Sequence, residues 1–249
     1  MPESPSIPAL WLDGDPAELL TLDVVLRLPQ PMRDESSSRS RQFSHLMRRQ
    51  RLDARFVLGE IVPWGSEPAE PHISIFMLTA PREMLPLLAD AVDRVAAHTP
   101  PVEALGKHYG HNPFGAPELF FHATSQWRTL QRTVVEAFEP LRQGRLRQEG
   151  PFGEPLPAML AGTVPADPER LKQLRDTGFD EIGDRFRPHV TESAPTDPAY
   201  RVPFDTLPAP ESITGTLTTL ALYRMGPYGT CLTNYHEAEL GLPDVASEG

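Results

Sequence analysis

Two short stretches of the chain share one grammar. Glu70-Pro71-His72-Ile73-Ser74-Ile75-Phe76-Met77 and, later, Arg187-Pro188-His189-Val190-Thr191-Glu192 each run proline, histidine, apolar residue, hydroxyl residue. In a β-strand, residues i and i+2 point to the same face. Each triplet therefore sets an imidazole beside a hydroxyl, roughly 7 Å along the strand, and sends the residue between them toward a core. Two such strands lying near each other would line a pocket with two imidazoles and two hydroxyls. That set suits phosphoester chemistry. One histidine takes a proton from the nucleophile, the other gives one to the leaving oxygen, and Ser74 and Thr191 hold the phosphoryl oxygens. No metal or other cofactor is needed, because imidazole titrates near neutral pH.

A third triplet, His122-Ala123-Thr124, also fits, but it lacks the preceding proline and lies at the end of Phe120-Phe121 just before a helix start. The paired motifs resemble the 2H phosphoesterase superfamily (the 2′-5′ RNA ligase-like or cyclic phosphodiesterase group), whose hallmark is two His-x-Ser/Thr motifs on related halves of one domain. The ending Leu220-Ala221-Leu222-Tyr223, followed by a glycine-containing turn and an aromatic-bearing strand, matches the close of that family. The resemblance covers about residues 20–240 and implies His72 and His189 as the catalytic pair, with His122 in the framework near the site. One position departs from the pattern. The residue after the hydroxyl is usually apolar, and in the second motif it is Glu192, so either the strand ends at Thr191 or the match is looser there.

The elements that must position these residues follow from periodicity and punctuation. Thr21–Pro29 reads as a first strand, Gln30–Ser38 as a loop, Arg39–Leu52 as a helix and Arg55–Val62 as a second strand. The first motif strand spans His72–Leu78. A helix from Pro81 carries Leu85, Leu88, Val92 and Val95 on one face and stops at Pro100-Pro101. Strands at Val102–His108 and Glu118–Thr124 precede a helix capped by Ser125 and ending near Phe138. Residues 142–183 are proline-rich and weakly periodic, with one short helix from about Asp167 to Thr177 closed by Gly178. They read as an insertion outside the shared core that rims the cleft. The second motif strand begins at Pro188, and Ile213–Arg224 and Thr230–Glu237 form a closing hairpin. The order predicts an α+β fold, which the resemblance specifies as two pseudo-symmetric lobes of mostly antiparallel, curved sheet with helices outside. Residues 1–19 read as an N-terminal extension and 241–249 as a C-terminal tail.

Composition narrows the functional classes. The 249 residues hold one cysteine, 29 prolines and a net charge of −11. Such acidity does not suit a general polynucleotide coat, whereas a nucleotide, a short oligonucleotide or an RNA end is easier to accept. Six arginines between Arg39 and Arg55 run against this trend. They form either a solvated helix face or a local phosphate-binding patch. With no secretory leader pattern, no membrane-length apolar run and no disulfide framework, the reading is cytoplasmic, with no stable protein partner implied. Further candidates for substrate contact are Trp64, beside the first motif, Arg187, two residues before His189, His122, and the hairpin aromatics Tyr223, Tyr228 and Tyr235, which are more often packing residues.

Three functions compete. The first is a metal-independent phosphodiesterase acting on a cyclic or 2′-5′ phosphodiester. The second is a non-catalytic nucleotide- or RNA-binding module of the same fold, which Glu192 and the acidic surface favour slightly. The third is a metal-dependent hydrolase built on His108, His111 and His122.

Overall fold

A computed structural model of the chain describes residues 15–241. Its framework is two four-stranded antiparallel sheets. In the first, β1 (Leu19–Arg27) lies between β3 (His72–Pro81) and β9 (Thr219–Met225), and β10 (Cys231–Glu239) closes the far edge. In the second, β4 (Val102–His111) lies between β5 (Pro117–Phe121) and β8 (Thr214–Leu217), with β6 (His189–Thr191) beyond β5. Each motif strand is thus an edge strand of its own sheet. A two-stranded ribbon of β2 (Ala54–Val57) and β7 (Ser193–Pro195) stands beside them.

Burial explains why these segments are strands. β1 reads Leu-Leu-Thr-Leu-Asp-Val-Val-Leu-Arg and is covered on both faces, so its apolar run need not alternate. Helix α2 (Leu85–Ala97) lays Leu85, Leu88, Val92 and Val95 against β9 and β10. Helix α3 (Ser125–Phe138) buries Trp127, Leu130, Val134 and Phe138 against α2 and β3, and its Trp127 indole donates to the Glu103 carbonyl at 3.0 Å. One apolar core runs through both sheets, from Leu22 and Ile75 to Leu119 and Val190. The architecture is α+β and bilobal, with helices outside the curled sheets, as the sequence led us to expect.

Several boundaries differ. The expected loop Gln30–Ser38 is helical, since α1 runs over Gln30–Arg49 with Pro31 in its first turn, where a missing N–H costs nothing. Its serines are poor helix formers by propensity, yet Ser36 and Ser40 are buried and bond across to other elements, which offsets that weakness. The Ser125 cap is also displaced: Thr124 holds that position, without a side-chain bond. The expected strand Ile213–Arg224 is two strands. At Thr218 the chain leaves the second sheet and enters the first. Residues 142–183 contribute no strand to either sheet. They hold two short helices, α4 (Leu156–Leu160) and α5 (Pro168–Thr177), the latter capped by the Asp167 carboxylate and ended by Gly178 at φ 75°. The expected N-terminal extension and C-terminal tail fall largely on residues 1–14 and 242–249, outside the described residues.

Candidate active site

The motif residues line one cleft between the sheets, with a volume of about 240 Å³. His72 and Ser74 face it from β3, His189 and Thr191 from β6, while Ile73 and Val190 point away and are buried. The two histidines are held alike. Nδ1 of His72 lies 2.7 Å from the Glu70 carbonyl, and Nδ1 of His189 lies 2.7 Å from the Arg187 carbonyl. A carbonyl only accepts, so each Nδ1 carries a proton, and each Nε2 presents either a lone pair or a second proton.

Behind each Nε2 stands a buried carboxylate from the neighbouring strand. Asp23 of β1 is 3.8 Å from His72 Nε2, and Glu118 of β5 is 3.8 Å from His189 Nε2. The correspondence ends at the hydroxyls. Ser74 Oγ donates to Asp23 Oδ2 at 2.6 Å, whereas Glu118 accepts from the Asn112 side chain at 2.9 Å. Burial pushes the Asp23 carboxyl up to about 7, against the Ser74 hydrogen bond and the Arg147 charge, and it raises Glu118 as well. Burial also lowers His72 below its ordinary value. At His189 the same burial is outweighed by the Glu118 and Glu181 carboxylates, and the imidazole is raised. The two imidazoles are therefore biased in opposite directions, His72 toward its neutral form and His189 toward its cation.

The outer cleft is aromatic and charged. Tyr228 lines it from the β9–β10 turn at φ 61°, and Phe152 of the insertion reaches Tyr228 edge-on at 5.9 Å. Phe152 also stacks on Phe114 of the β4–β5 loop at 4.9 Å, the rings nearly parallel. Arg187 lines the cleft too. It pairs with Glu181 at 3.2 Å and lies over Phe120, which in turn contacts the His189 ring.

The other expected residues fall elsewhere. Trp64 does not line the cleft. It backs Tyr228 at 5.6 Å and donates to Thr230 Oγ1 at 3.1 Å. Tyr223 and Tyr235 are core residues, Tyr223 packed with Val25, Ala221 and Cys231. His122 is exposed and outside the cleft. The His108, His111 and His122 cluster is not assembled. His108 stacks on Phe120 and His111 on Phe204, and residues three apart on a strand point to opposite faces. Among the described residues, the one group that could offer three ligand atoms to a cation is Asp23, His72 and Cys231, all within 4.8 Å. Cys231 is fully buried and its thiol is pushed well up, first by burial and then by Asp23 and Glu70. Asp23 Oδ2 is already bonded to Ser74. These side chains suit holding protons better than a metal.

Glu192 does not weaken the second motif. The strand ends at Thr191, and the Glu192 side chain turns inward, fully buried. It accepts from Arg39 Nε and Nη2 at 3.0 and 2.9 Å and from Ser36 Oγ at 2.9 Å. Arg39 is thereby removed from the basic stretch, whose remaining arginines are exposed.

No protein-family model matches the chain, and no curated protein matches it in sequence. Solved structures do match. TT0787 of Thermus thermophilus aligns with a TM-score of 0.56 at 20% identity, over 90% of this chain and 99% of that one. E. coli LigT complexed with phosphate aligns with a TM-score of 0.50 at 13% identity, over the same shares. The likeness is one of fold: the chain shares the fold of these two structures. No helix among the described residues is long and apolar enough to cross a membrane.

Proposed function

We propose that the chain is a phosphodiesterase that needs no metal and opens a cyclic or 2′-5′ phosphodiester in a nucleotide, a short oligonucleotide or an RNA end. The observation that carries this reading is the pair of imidazoles held by the same backbone grip on facing strand edges but biased to opposite protonation states. His72, the more neutral, acts as the base on the attacking water. His189, the more cationic, protonates the departing ribose oxygen. Thr191 donates to a phosphoryl oxygen, Ser74 turns its single hydroxyl proton from Asp23 to a second one when substrate binds, and Tyr228 with Phe152 offers an aromatic face to a base. The crystal of E. coli LigT holds a phosphate, which agrees with an anion of that size as the reacting group in this fold. The binding-module alternative loses one of its two supports, since Glu192 serves the core, and keeps the acidic surface.

The test is turnover by the purified chain of 2′,3′-cyclic nucleotides, 2′-5′ dinucleotides and cyclic-phosphate RNA ends with EDTA present. His72→Ala and His189→Ala should each lower the rate by about 10²–10⁴-fold, and the double variant should lose little more, because the two act as one acid–base unit. Binding of these ligands without turnover would sink the catalytic reading. Activity that survives both substitutions would sink the site.

A further inference from the structure

Arg147 belongs to the segment that looks dispensable in the sequence, yet it is one of the largest fully buried side chains, 2% exposed. Its Nη1 meets the Met77 sulfur at 3.4 Å, and its guanidinium lies 5.8 Å from the centre of the Phe179 ring. Nε and Nη2 have no hydrogen-bond partner, and among the described residues no carboxylate forms an ion pair with it. A buried, unpaired cation is costly, and such groups are found where another charge compensates them.

The register of the first sheet indicates which charge that is. Asp23 stands directly opposite Met77 in the β1–β3 ladder, and such cross-strand partners are neighbours on one face, about 4.5–5.5 Å apart at Cβ. The guanidinium against the Met77 sulfur thus lies on the face of the ladder that carries Asp23, and the two charges attract each other without an ion-pair contact. Asp23 is its complement. It is 0% exposed, Oδ2 is taken by Ser74, and Oδ1 is buried without a partner. Asp180 acts on Arg147 more strongly than Asp23 does and Glu154 less, but both are already held by Arg170. Around Asp23 the remaining groups are His72, His189 and the Cys231 thiol, none of them a permanent cation.

We propose that Arg147 is a positioning residue of the candidate active site: its buried charge holds Asp23 as a carboxylate, which grips Ser74 and stands behind His72. The insertion thus completes the charge balance of the cleft as well as walling it. Burial already drives Asp23 toward its neutral form, and Arg147 opposes that drive. Without the guanidinium, Asp23 takes up a proton at neutral pH, and the Ser74 hydroxyl exchanges a charged acceptor for a weaker, neutral one.

The kinetic part of the test rests on the phosphodiesterase reading, and the titration part does not. Arg147→Met and Arg147→Gln remove the charge, while Arg147→Lys keeps it. In the free protein, 13C NMR follows the titration of the Asp23 carboxyl, assigned by its loss in Asp23→Asn. Both neutral variants should raise its midpoint by at least about one pH unit, a tenfold change in the ratio of ionised to neutral carboxyl. Hydrolysis of 2′,3′-cyclic AMP should lose about fivefold in kcat near pH 7, with KM little changed, and recover toward wild type near pH 9 as Asp23 ionises. Arg147→Lys should stay close to wild type, and the thermal midpoint of Arg147→Met should not fall, because Asp23 then takes up a proton and neither buried charge remains. An Asp23 titration unmoved in a folded neutral variant overturns the proposal, as does Arg147→Lys behaving like Arg147→Met. Should the neutral variants not fold, Asp23→Asn decides: a pH–rate profile that keeps its acid limb intact overturns the proposal. A wild type without turnover whose Asp23 midpoint still depends on Arg147 would retire the phosphodiesterase reading and leave the charge coupling standing.

Discussion

At His72 and His189 one backbone grip coexists with opposite proton affinities, because the two imidazoles differ in what lies beyond the ring. Burial dominates at His72. At His189, Glu118 and Glu181 reverse its effect. The signs give the pH profile. On the acid side two groups must lose a proton, His72 below its ordinary value of 6.5 to serve as base and Asp23 near about 7, so activity should reach its full value only as Asp23 ionises. An acid must be protonated, so activity should fall as His189 loses its own, above 6.5. The rate on a cyclic nucleotide should therefore show a plateau between the two limbs. Glu118→Gln removes the main charge that raises His189, so the alkaline limb should move to lower pH while the acid limb stays. An unmoved alkaline limb would take the acid role from His189. The histidines and hydroxyls were legible in the sequence because a spacing of two is fixed by strand geometry. Asp23 and Glu118 were not, since their partners come from other strands and register is a tertiary fact. Their one sequence signal was a lone acid inside an apolar strand, in Thr21-Leu22-Asp23-Val24-Val25 and in Glu118-Leu119-Phe120-Phe121.

At the scale of elements, the contact between α1 and the end of β6 decides how the second motif is held. Glu192 and Arg39 are both buried, and Ser36 completes the cluster. Glu192→Ala strands the Arg39 charge in the core and should cost about 3–5 kcal/mol, read as a fall in the urea midpoint. Replacing both residues with apolar ones of similar volume should restore most of that loss. If Glu192→Ala melts as the wild type does, β6 is anchored in some other way. Sequence periodicity found helices α2, α3 and α5, whose apolar stripes or caps are local. It missed the first turns of α1, where the serines are stabilised by distant groups, and the break at Thr218, where a chain of uniform strand propensity changes sheets. Nothing local marks either event.

Across the whole molecule, the cleft is bordered by residues from three separate segments. Phe114 comes from the second lobe, Phe152 from the insertion and Tyr228 from the first lobe's turn, and their rings meet at its mouth. Phe152→Ala removes the middle ring. An aromatic pair is worth about 0.5–1.5 kcal/mol beyond its burial, so KM should rise about 3–10-fold with kcat near wild type. A fall in kcat with KM unchanged would show that the rings shape the reacting centre and not the binding of substrate. The expectation that residues 142–183 rim the cleft came from composition alone, and composition could not show that Phe152 lines it or that Arg147 is buried behind Met77 and Phe179. The two motif strands are edges of different sheets, joined by no hydrogen-bond ladder. The gap between the two imidazoles is therefore fixed only when the lobes dock, by contacts between residues distant in the chain, and such contacts form late. On refolding from denaturant, far-UV circular dichroism should recover first and enzymatic competence should follow as a separate, slower phase.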